Sequence, residues 1–350
     1  MTSLKTSAVI FSFLLLTSCS LFDWGSKNNN TAGTLSGRKG VFIVNEGNFN
    51  AGNGSLSFFS FDSLKIYNDI FSSVNNRPLG DIPFSLAVSD DKLYIAVNNS
   101  GKIEVADVNT LKSVATITGL NSPRNMLFIS PSKAYVTSLW SQDVAIINPI
   151  SNIVSGSIRL RRSSEAILSY GDKAYMSCWV SGSEIMVVNT ATDKVTDSIS
   201  VGHEPESMAL DKNGKLWVLC SGGYSGEFFP ELIRINTSGD SVEKRIQFPS
   251  KSQYPTTLRL NGTHDTLYYI DNGIWTLPVT AESLPLVPLV KASGRTFYKL
   301  AISDTGNEIY ATNVVDYQQR GYLLRFTKGG TLIDSIRTDI IPGDLFFKIK

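Results

Sequence analysis

The chain has 350 residues, of which 42% are hydrophobic and 18% charged, and its net charge is +1 at neutral pH. This composition is typical of a globular protein with enough apolar material for a substantial core. It argues against nucleic-acid binding, which usually requires a strong basic excess or a basic stripe. The clearest basic cluster, Arg159 to Arg162, is short and is interpreted as a solvated turn.

The first nineteen residues have the pattern of an export signal. Lys5 supplies a positive charge, residues 8–16 form an apolar segment, and Leu16-Thr17-Ser18-Cys19 follows. The apolar segment is too short for a membrane-spanning helix, which needs about 20 residues. The tetrad resembles the lipobox of bacterial lipoproteins, which implies cleavage before Cys19 and lipid attachment at that residue, and two or more acyl chains make a durable anchor. The alternative is a simple secretory signal with an incidental cysteine.

Residues 20–38 are rich in Ser, Asn, Gly, Lys and Thr. Such a segment buries too little apolar surface to order itself, so we expect a flexible tether. The predicted organisation is therefore a lipoprotein signal peptide over residues 1–18, a lipidated tether over 19–38, and one β domain over 39–350.

From Gly40 onward, short alternating apolar strands recur with turn signals between them. A unit of four strands is clearest over residues 83–117, and later units begin near residues 123, 164, 205, 255 and 297. A spacing of roughly 40 to 50 residues is the period of a four-stranded propeller blade. Residues 41–71 supply the second, third and fourth strands of a further blade, with the fourth predicted over 64–71.

The C-terminal segment supplies the strand that this blade lacks. Ile341 to Phe347 repeats the pattern of Ile82 to Val88, the opening strand of the first complete unit. We therefore predict an all-β fold, a seven-bladed β-propeller in which the C-terminal strand joins the first blade and closes the ring. A closed ring leaves only short, protected strand edges. Six or eight blades are the alternatives, because the unit over 255–290 has poorly patterned third and fourth strands.

Two cysteines, Cys178 and Cys220, occupy the same place in adjacent repeats. That placement puts their Cα atoms beyond the roughly 7 Å that a disulfide spans. We predict two buried free thiols.

One face of the predicted ring concentrates side chains suited to ligand binding. In a propeller, the loop into strand one and the loop between strands two and three open on the same face, around the central channel. These loops combine aromatic rings with carboxylates, amides and arginines, a mixture that suits a large, partly apolar ligand. The predicted contacts are Trp140, Trp179, Tyr224, Arg124, Glu165, Glu206, Tyr254, Tyr298 and Tyr317.

The sequence offers little support for catalysis. Its two histidines, His203 and His264, do not have metal-ligand spacing, and no calcium loop of the EF-hand pattern is present. The segment 223–226 lacks the spacing of a nucleophile elbow. His203 beside Glu204 and Glu206 has the residue types for acid–base chemistry but is interpreted as a polar loop. We predict no catalytic residue, no metal and no cofactor.

Residues 44–49, followed by residues 52–57, resemble the opening strand pair of the YncE-like, YVTN-type propellers among Bacteroidetes surface lipoproteins. The resemblance extends over essentially the whole mature chain, and it implies a protein anchored at the outer membrane and exposed on the cell surface. Some members of that group capture cobalamin and pass it to a TonB-dependent transporter. Others have no assigned ligand. The resemblance thus implies an accessory binding protein at the outer membrane, with a corrinoid as a candidate ligand and such a transporter as a candidate partner.

The predicted function is non-enzymatic capture of a ligand at the cell surface, with delivery of cobalamin or another large nutrient as its specific form. One alternative is a surface propeller for protein–protein interaction or adhesion. A second is an enzyme of the lactonase or lyase type that uses carboxylates at the channel mouth. Converging carboxylates would favour the enzyme, whereas an aromatic rim without converging titratable groups favours capture.

Overall fold

The computed structural model describes residues 35–349. The signal peptide, the lipidation site Cys19 and most of the predicted tether lie outside the described residues. The strands are, in chain order, β1 (Gly40–Asn45), β2 (Ser55–Ser60), β3 (Lys65–Tyr67), β4 (Pro83–Ser89), β5 (Lys92–Val97), β6 (Lys102–Asp107), β7 (Ser113–Ile117), β8 (Pro123–Ser130), β9 (Lys133–Ser138), β10 (Asp143–Asn148), β11 (Ile153–Arg159), β12 (Ile167–Tyr170), β13 (Lys173–Ser177), β14 (Glu184–Asn189), β15 (Lys194–Ser200), β16 (Pro205–Leu210), β17 (Lys215–Cys220), β18 (Glu231–Asn236), β19 (Ser241–Gln247), β20 (Thr256–Leu260), β21 (Thr266–Ile270), β22 (Gly273–Pro278), β23 (Val290–Lys291), β24 (Phe297–Ile302), β25 (Glu308–Asn313), β26 (Arg320–Thr327), β27 (Leu332–Ile340) and β28 (Pro342–Lys348).

The strands form seven antiparallel sheets of four strands each. Blades 2 to 7 take their strands in chain order from the centre outward, beginning with β4, β8, β12, β16, β20 and β24. Blade 1 has the order β28-β1-β2-β3, so its innermost strand comes from the C-terminus. Each innermost strand contacts the innermost strand of the next blade all the way round. The predicted all-β, seven-bladed β-propeller is confirmed.

Closure of the ring rests on β28. This strand pairs antiparallel with β1, with Gly40 opposite Lys348 and Phe42 opposite Phe346. Leu345, at the middle of β28, packs in a buried cluster with residues of blades 1 and 7. The C-terminal strand therefore completes the first blade, as predicted.

Strand two of each blade is buried on both faces, which explains why these strands are almost continuously apolar. In β5, Leu93 and Ile95 pack in a cluster shared with blade 1, whereas Tyr94 and Ala96 pack in a cluster shared with blade 3. Successive side chains of a strand point to opposite faces, so alternate residues serve the two neighbouring blades.

A recurring Lys-X-Tyr sequence at the start of strand two ties consecutive blades together. In three successive blades, the lysine ammonium and the tyrosine hydroxyl both donate hydrogen bonds to the turn between strands three and four of the next blade. The three contacts are Lys92 and Tyr94 with Pro149, Lys133 and Tyr135 with Asp193, and Lys173 and Tyr175 with Asp240. The repeated motif is therefore an inter-blade brace.

The strand predicted over residues 64–71 is wrong in its second half. The strand ends at Tyr67, and helix α1 (Ile70–Asn75) follows it. Asp69 adopts a left-handed conformation with φ of 50°, which breaks the extended chain, and Ile70 and Phe71 are then buried on the same short helix. Blade 6, whose pattern is weak in sequence, has four strands, but its outermost strand β23 contains only two residues.

The packed body begins before residue 39. Leu35 is buried in the same cluster as Phe42 and Leu93, and its backbone N–H donates to the carbonyl of Asn109. The last residues of the predicted tether therefore belong to the propeller. Cys178 and Cys220 are both buried free thiols, as predicted. Among residues 35–349, no helix is long and apolar enough to cross a membrane.

Candidate functional site

A cavity of about 410 Å³ opens at the end of the channel where the entry loops and the loops between strands two and three meet. This volume is within the range of roughly 300 to 1,000 Å³ that is usual for small-molecule sites. Seven of the nine predicted contacts line it, namely Arg124, Glu165, Trp179, Glu206, Tyr254, Tyr298 and Tyr317. Seven of the predicted contacts are therefore brought together at one cavity.

The other two predicted contacts do not line the cavity. Trp140 follows β9, and its side chain is 65% exposed and does not line the cavity. Tyr224 is 88% exposed, but its ring packs edge-to-face against Tyr254 with the ring centroids 5.9 Å apart. Tyr224 is therefore at the rim of the cavity, whereas Trp140 is outside it.

One residue from each blade occupies an equivalent place around the channel. It follows the proline, or its counterpart, that begins the innermost strand. The seven residues are Gly343, Phe84, Arg124, Glu165, Glu206, Thr256 and Tyr298, and all but the glycine line the cavity. We call them the channel ring.

Glycine in blade 1 leaves room for a carboxylate from a neighbouring loop. A Cβ atom built on Gly343 would lie 3.0 Å from Oε1 of Glu46. Glu46, in the loop after β1, accepts a hydrogen bond of 2.8 Å from the hydroxyl of Tyr298. Glu46 was not among the predicted contacts. The sequence feature that points to Glu46 is Gly343, the one glycine among the seven equivalent positions.

Arg124 and Glu165 form a buried ion pair across adjacent blades. Nε of Arg124 donates to Oε2 of Glu165 and Nη2 donates to Oε1, both over 2.7 Å. The guanidinium carbon of Arg124 also lies 3.3 Å from the ring centroid of Phe84. Burial alone would lower the pKa of Arg124, but the charge and hydrogen bonds of Glu165 outweigh it and raise the pKa. Both charges of this pair are neutralised within the protein.

A second charge pair joins blades 5 and 7. Nζ of Lys299 lies 3.6 Å from Oε1 of Glu206, and Oε2 of Glu206 accepts a hydrogen bond of 2.8 Å from the N–H of Thr257. Burial would raise the pKa of Glu206, but the charge of Lys299 and hydrogen bonds from Ser207 and Thr257 lower it. Glu206 is therefore held as a carboxylate. Lys299 was missed from sequence because it lies one residue beyond the channel ring.

The carboxyl of Glu46 is in a different environment. It is only 8% exposed, and burial raises its pKa despite the hydrogen bond from Tyr298 and the charges of Lys299 and Arg124. Burial and the nearby Glu46 raise the pKa of Tyr298 well above its ordinary value. Tyr298 also packs edge-to-face against Tyr317, with centroids 6.0 Å apart. This corner of the cavity favours uncharged forms.

Trp179 supplies a hydrogen-bond donor that has no partner. Its Nε1 atom is buried and finds no acceptor among the described residues. The loop that carries it turns back tightly, with the N–H of Gly182 donating to the carbonyl of Trp179. A Cβ atom at Gly182 would lie 2.0 Å from the carbonyl oxygen of Cys178, so the turn requires glycine.

Beneath the channel ring lies a smaller, polar cavity of about 140 Å³. It shares Phe84, Glu165, Glu206 and Lys299 with the main cavity. The charge pairs therefore form a floor between the two spaces. Within residues 35–349, no group of three or more His, Cys, Asp or Glu side chains is placed to hold a metal ion.

Comparison with known proteins identifies a family whose function is not defined. Residues 39–341 match the family described as a domain of unknown function, DUF5074. The chain belongs to this family. No curated protein matches it in sequence.

Solved structures show the same fold for this DUF5074 chain. A quinonprotein alcohol dehydrogenase-like protein from Bacteroides thetaiotaomicron superposes with a TM-score of 0.67 at 15% identity, over 90% of this chain and 79% of that one. A putative 6-phosphogluconolactonase from Bacteroides uniformis gives 0.66 at 12% identity, over 89% and 99%. The periplasmic gluconolactonase of Pseudomonas aeruginosa gives 0.66 at 13% identity, over 88% and 99%. At these identities the likeness concerns the fold alone.

Proposed function

We propose that this chain is a binding protein that captures a small organic ligand in the channel cavity. The observation that carries the proposal is the unpartnered Nε1 of Trp179, placed in a cavity that five other aromatic residues line. A buried donor without an acceptor costs about 1 to 3 kcal/mol, which a ligand acceptor recovers on binding. These other aromatic residues are Phe84, Tyr254, Phe297, Tyr298 and Tyr317.

The state of the carboxylates supports capture over catalysis. Both oxygens of Glu165 bond to Arg124, and Glu206 is engaged by Lys299 and Thr257. A general base needs a free lone pair within reach of the proton that it removes. These two side chains instead act as fixed parts of the cavity floor.

Cobalamin or a related corrinoid remains the specific ligand that we propose first. A corrinoid is larger than the drug-sized ligands that cavities of about 300 to 1,000 Å³ enclose. A cavity of about 410 Å³ therefore takes only one part of it, and the rest lies across the rim beside the exposed ring of Tyr224. Capture by partial insertion also leaves most of the ligand accessible for transfer to a TonB-dependent transporter.

We further propose that lipid at Cys19 anchors the chain to the outer membrane. Leu35 joins the propeller beside Asn109, in the turn between β6 and β7, at the end of the blades opposite the mouth. Fifteen residues separate Cys19 from Leu35 and span at most about 50 Å. The linker therefore joins the propeller at the face opposite the mouth. Loss of acyl labelling in Cys19→Ala tests the anchor, and labelling that persists contradicts it.

Calorimetric titration with cobalamin and with cobinamide tests corrinoid capture. We expect heat of binding with the wild-type chain and at least tenfold weaker binding with Trp179→Phe, which keeps an aromatic ring but loses the donor. Trp140→Phe is the matched control and should bind as the wild type does. Absence of heat at saturating ligand would reject corrinoids while leaving capture of another ligand open.

A lactonase is the second candidate, favoured by the raised pKa of Glu46. A buried carboxyl whose pKa is raised above its ordinary value holds its proton more tightly and is better suited to act as a general acid. Under this proposal the chain hydrolyses a sugar lactone, and Glu46→Gln abolishes turnover without preventing binding. Incubation with glucono-δ-lactone, followed by the rate of acid release, separates the two candidates. A rate equal to the buffer blank rejects the lactonase.

A further inference from the structure

Two hydrogen-bond donors in the cavity lack an acceptor among the described residues. Nε1 of Trp179 is buried without a partner, and Nη1 of Arg124 makes no hydrogen bond with a described residue, since Glu165 occupies only Nε and Nη2. The carboxylate oxygens of Glu165 are both used, and those of Glu206 face Lys299 and Thr257. A ligand that satisfies this lining must bring acceptors.

Arg295 adds a positive charge that the protein does not neutralise. It lies on the entry loop of blade 7 and lines the cavity. Its guanidinium has no ion pair and no hydrogen bond with any residue between 35 and 349. The backbone around it is fixed, because its N–H donates to the carbonyl of Ala292 and the N–H of Thr296 donates to the side chain of Asn313.

The balance of charge along the lining follows from these contacts. The cations are Arg124, Arg295 and Lys299, and the carboxylates are Glu165 and Glu206. Arg124 and Lys299 each have a carboxylate partner. The neighbouring Glu46 is buried against Tyr298 and accepts a hydrogen bond from its hydroxyl. Of the three cations in this lining, Arg295 is therefore the one without a carboxylate partner among the described residues.

We infer that the ligand is an organic anion with a flat apolar body, bound with its carboxylate or phosphate at Arg295 and its flat part among the aromatic side chains. This inference rests on the proposed function and names the chemical class that the same cavity takes. Arginine is suited to such groups because its planar fork matches carboxylate and phosphate oxygens. The aromatic rings of Trp179, Tyr254 and Tyr317 supply faces and edges for a flat ring.

Two matched pairs of compounds test the inference, and the members of each pair share the flat body and differ in charge. Indole-3-acetate is compared with indole-3-acetamide, and adenosine 5′-monophosphate with adenosine. Binding to the full chain is followed by ligand-observed nuclear magnetic resonance at millimolar concentration. We expect at least one anion to bind about tenfold or more tightly than its neutral partner, because a charge-assisted hydrogen bond is lost in the neutral compound. The two pairs distinguish a carboxylate site from a phosphate site.

Arg295→Gln should remove this preference, so that the anion binds as weakly as its neutral partner. Arg161→Gln is the matched control, because Arg161 is an exposed arginine of another entry loop that does not line the cavity. Neither substitution removes an ion pair or side-chain hydrogen bond, so both variants should melt as the wild type does.

Equal binding of anion and neutral partner would overturn the inference, and so would a preference that survives Arg295→Gln or the absence of binding by either anion. Neutral compounds that bind the wild type but not Trp179→Phe would preserve the proposed function while rejecting its anionic ligand. The failure of one proposal is thus distinguishable from the failure of the other.

Discussion

Seven residues, one at or just before the start of the innermost strand of each blade, occupy equivalent places around the channel, and only six of them have side chains. Their positions could be predicted from the sequence, because each follows the start of a repeated strand. Their pairing could not. Arg124 and Glu165 are 41 residues apart, and only the closed ring brings them to hydrogen-bond distance. Lys299 and Glu206 come from blades that are not adjacent.

The Arg124–Glu165 pair should be strongly coupled. Replacing either residue by methionine leaves an unpaired buried charge, which costs about 3 to 5 kcal/mol of unfolding free energy. The double variant removes both charges, and we expect it to be within about 1 kcal/mol of the wild type. Urea unfolding of the four proteins measures the coupling. Single variants as stable as the wild type, or losses that simply add in the double variant, would contradict the buried pair.

Glu46 should make stability depend on pH. Burial raises its folded-state pKa above the ordinary value of 4.5, so the folded chain binds a proton more tightly than the unfolded chain. The wild type therefore loses stability as pH rises from the ordinary carboxyl value through the raised one. In Glu46→Gln the amide oxygen can still accept the hydrogen bond from Tyr298. Because this variant has no carboxyl to ionise at that position, it should not lose stability in this way.

Melting temperatures of the wild type and Glu46→Gln, measured from acidic to neutral pH, test this effect. As pH rises, the melting temperature of the variant should increase relative to that of the wild type. This difference should become constant once the carboxyl of Glu46 has ionised in the folded wild type. Parallel curves for the two proteins would show that Glu46 titrates normally in the fold.

At the scale of elements, the repeats predicted the strands well because strand two must be apolar on both faces in every blade. Helix α1 was missed because its buried residues, Ile70 and Phe71, are adjacent and have no helical period. The Lys-X-Tyr repeat was visible in the sequence, but its role was not. That role depends on the turn of the next blade, about 60 residues further on.

The inter-blade brace should contribute measurably to stability. In Tyr175→Phe, the hydroxyl that donates to Asp240 over 2.8 Å is lost, and a hydrogen bond to a charged group contributes about 1.5 to 3 kcal/mol. Tyr170→Phe is the control, because Tyr170 is 46% exposed and its hydroxyl makes no hydrogen bond with a described residue. Chemical unfolding should rank Tyr175→Phe clearly below both the control and the wild type. Equal stabilities of the three proteins would show that this hydrogen bond of the brace makes no measurable contribution to stability.

At the scale of the whole molecule, the closed ring joins inner strands into one channel and places an asymmetric set of side chains at its mouth. Blade count, ring closure and the face that carries the cavity were all accessible from sequence. The volume of the cavity was not, since it depends on how far each ring side chain reaches across the channel. The chain belongs to the DUF5074 family, whereas its assignment to a YncE-like lipoprotein group and to the outer membrane stays a prediction.

Thermal shift of the full chain against a panel of corrinoids, organic anions and neutral aromatic compounds tests the central claim, that the channel mouth captures a ligand through Trp179. At least one compound should raise the melting temperature of the wild type and of Trp140→Phe, and that shift should be lost in Trp179→Phe. The claim is contradicted if no compound stabilises the wild type, or if the stabilising compounds act equally on Trp179→Phe.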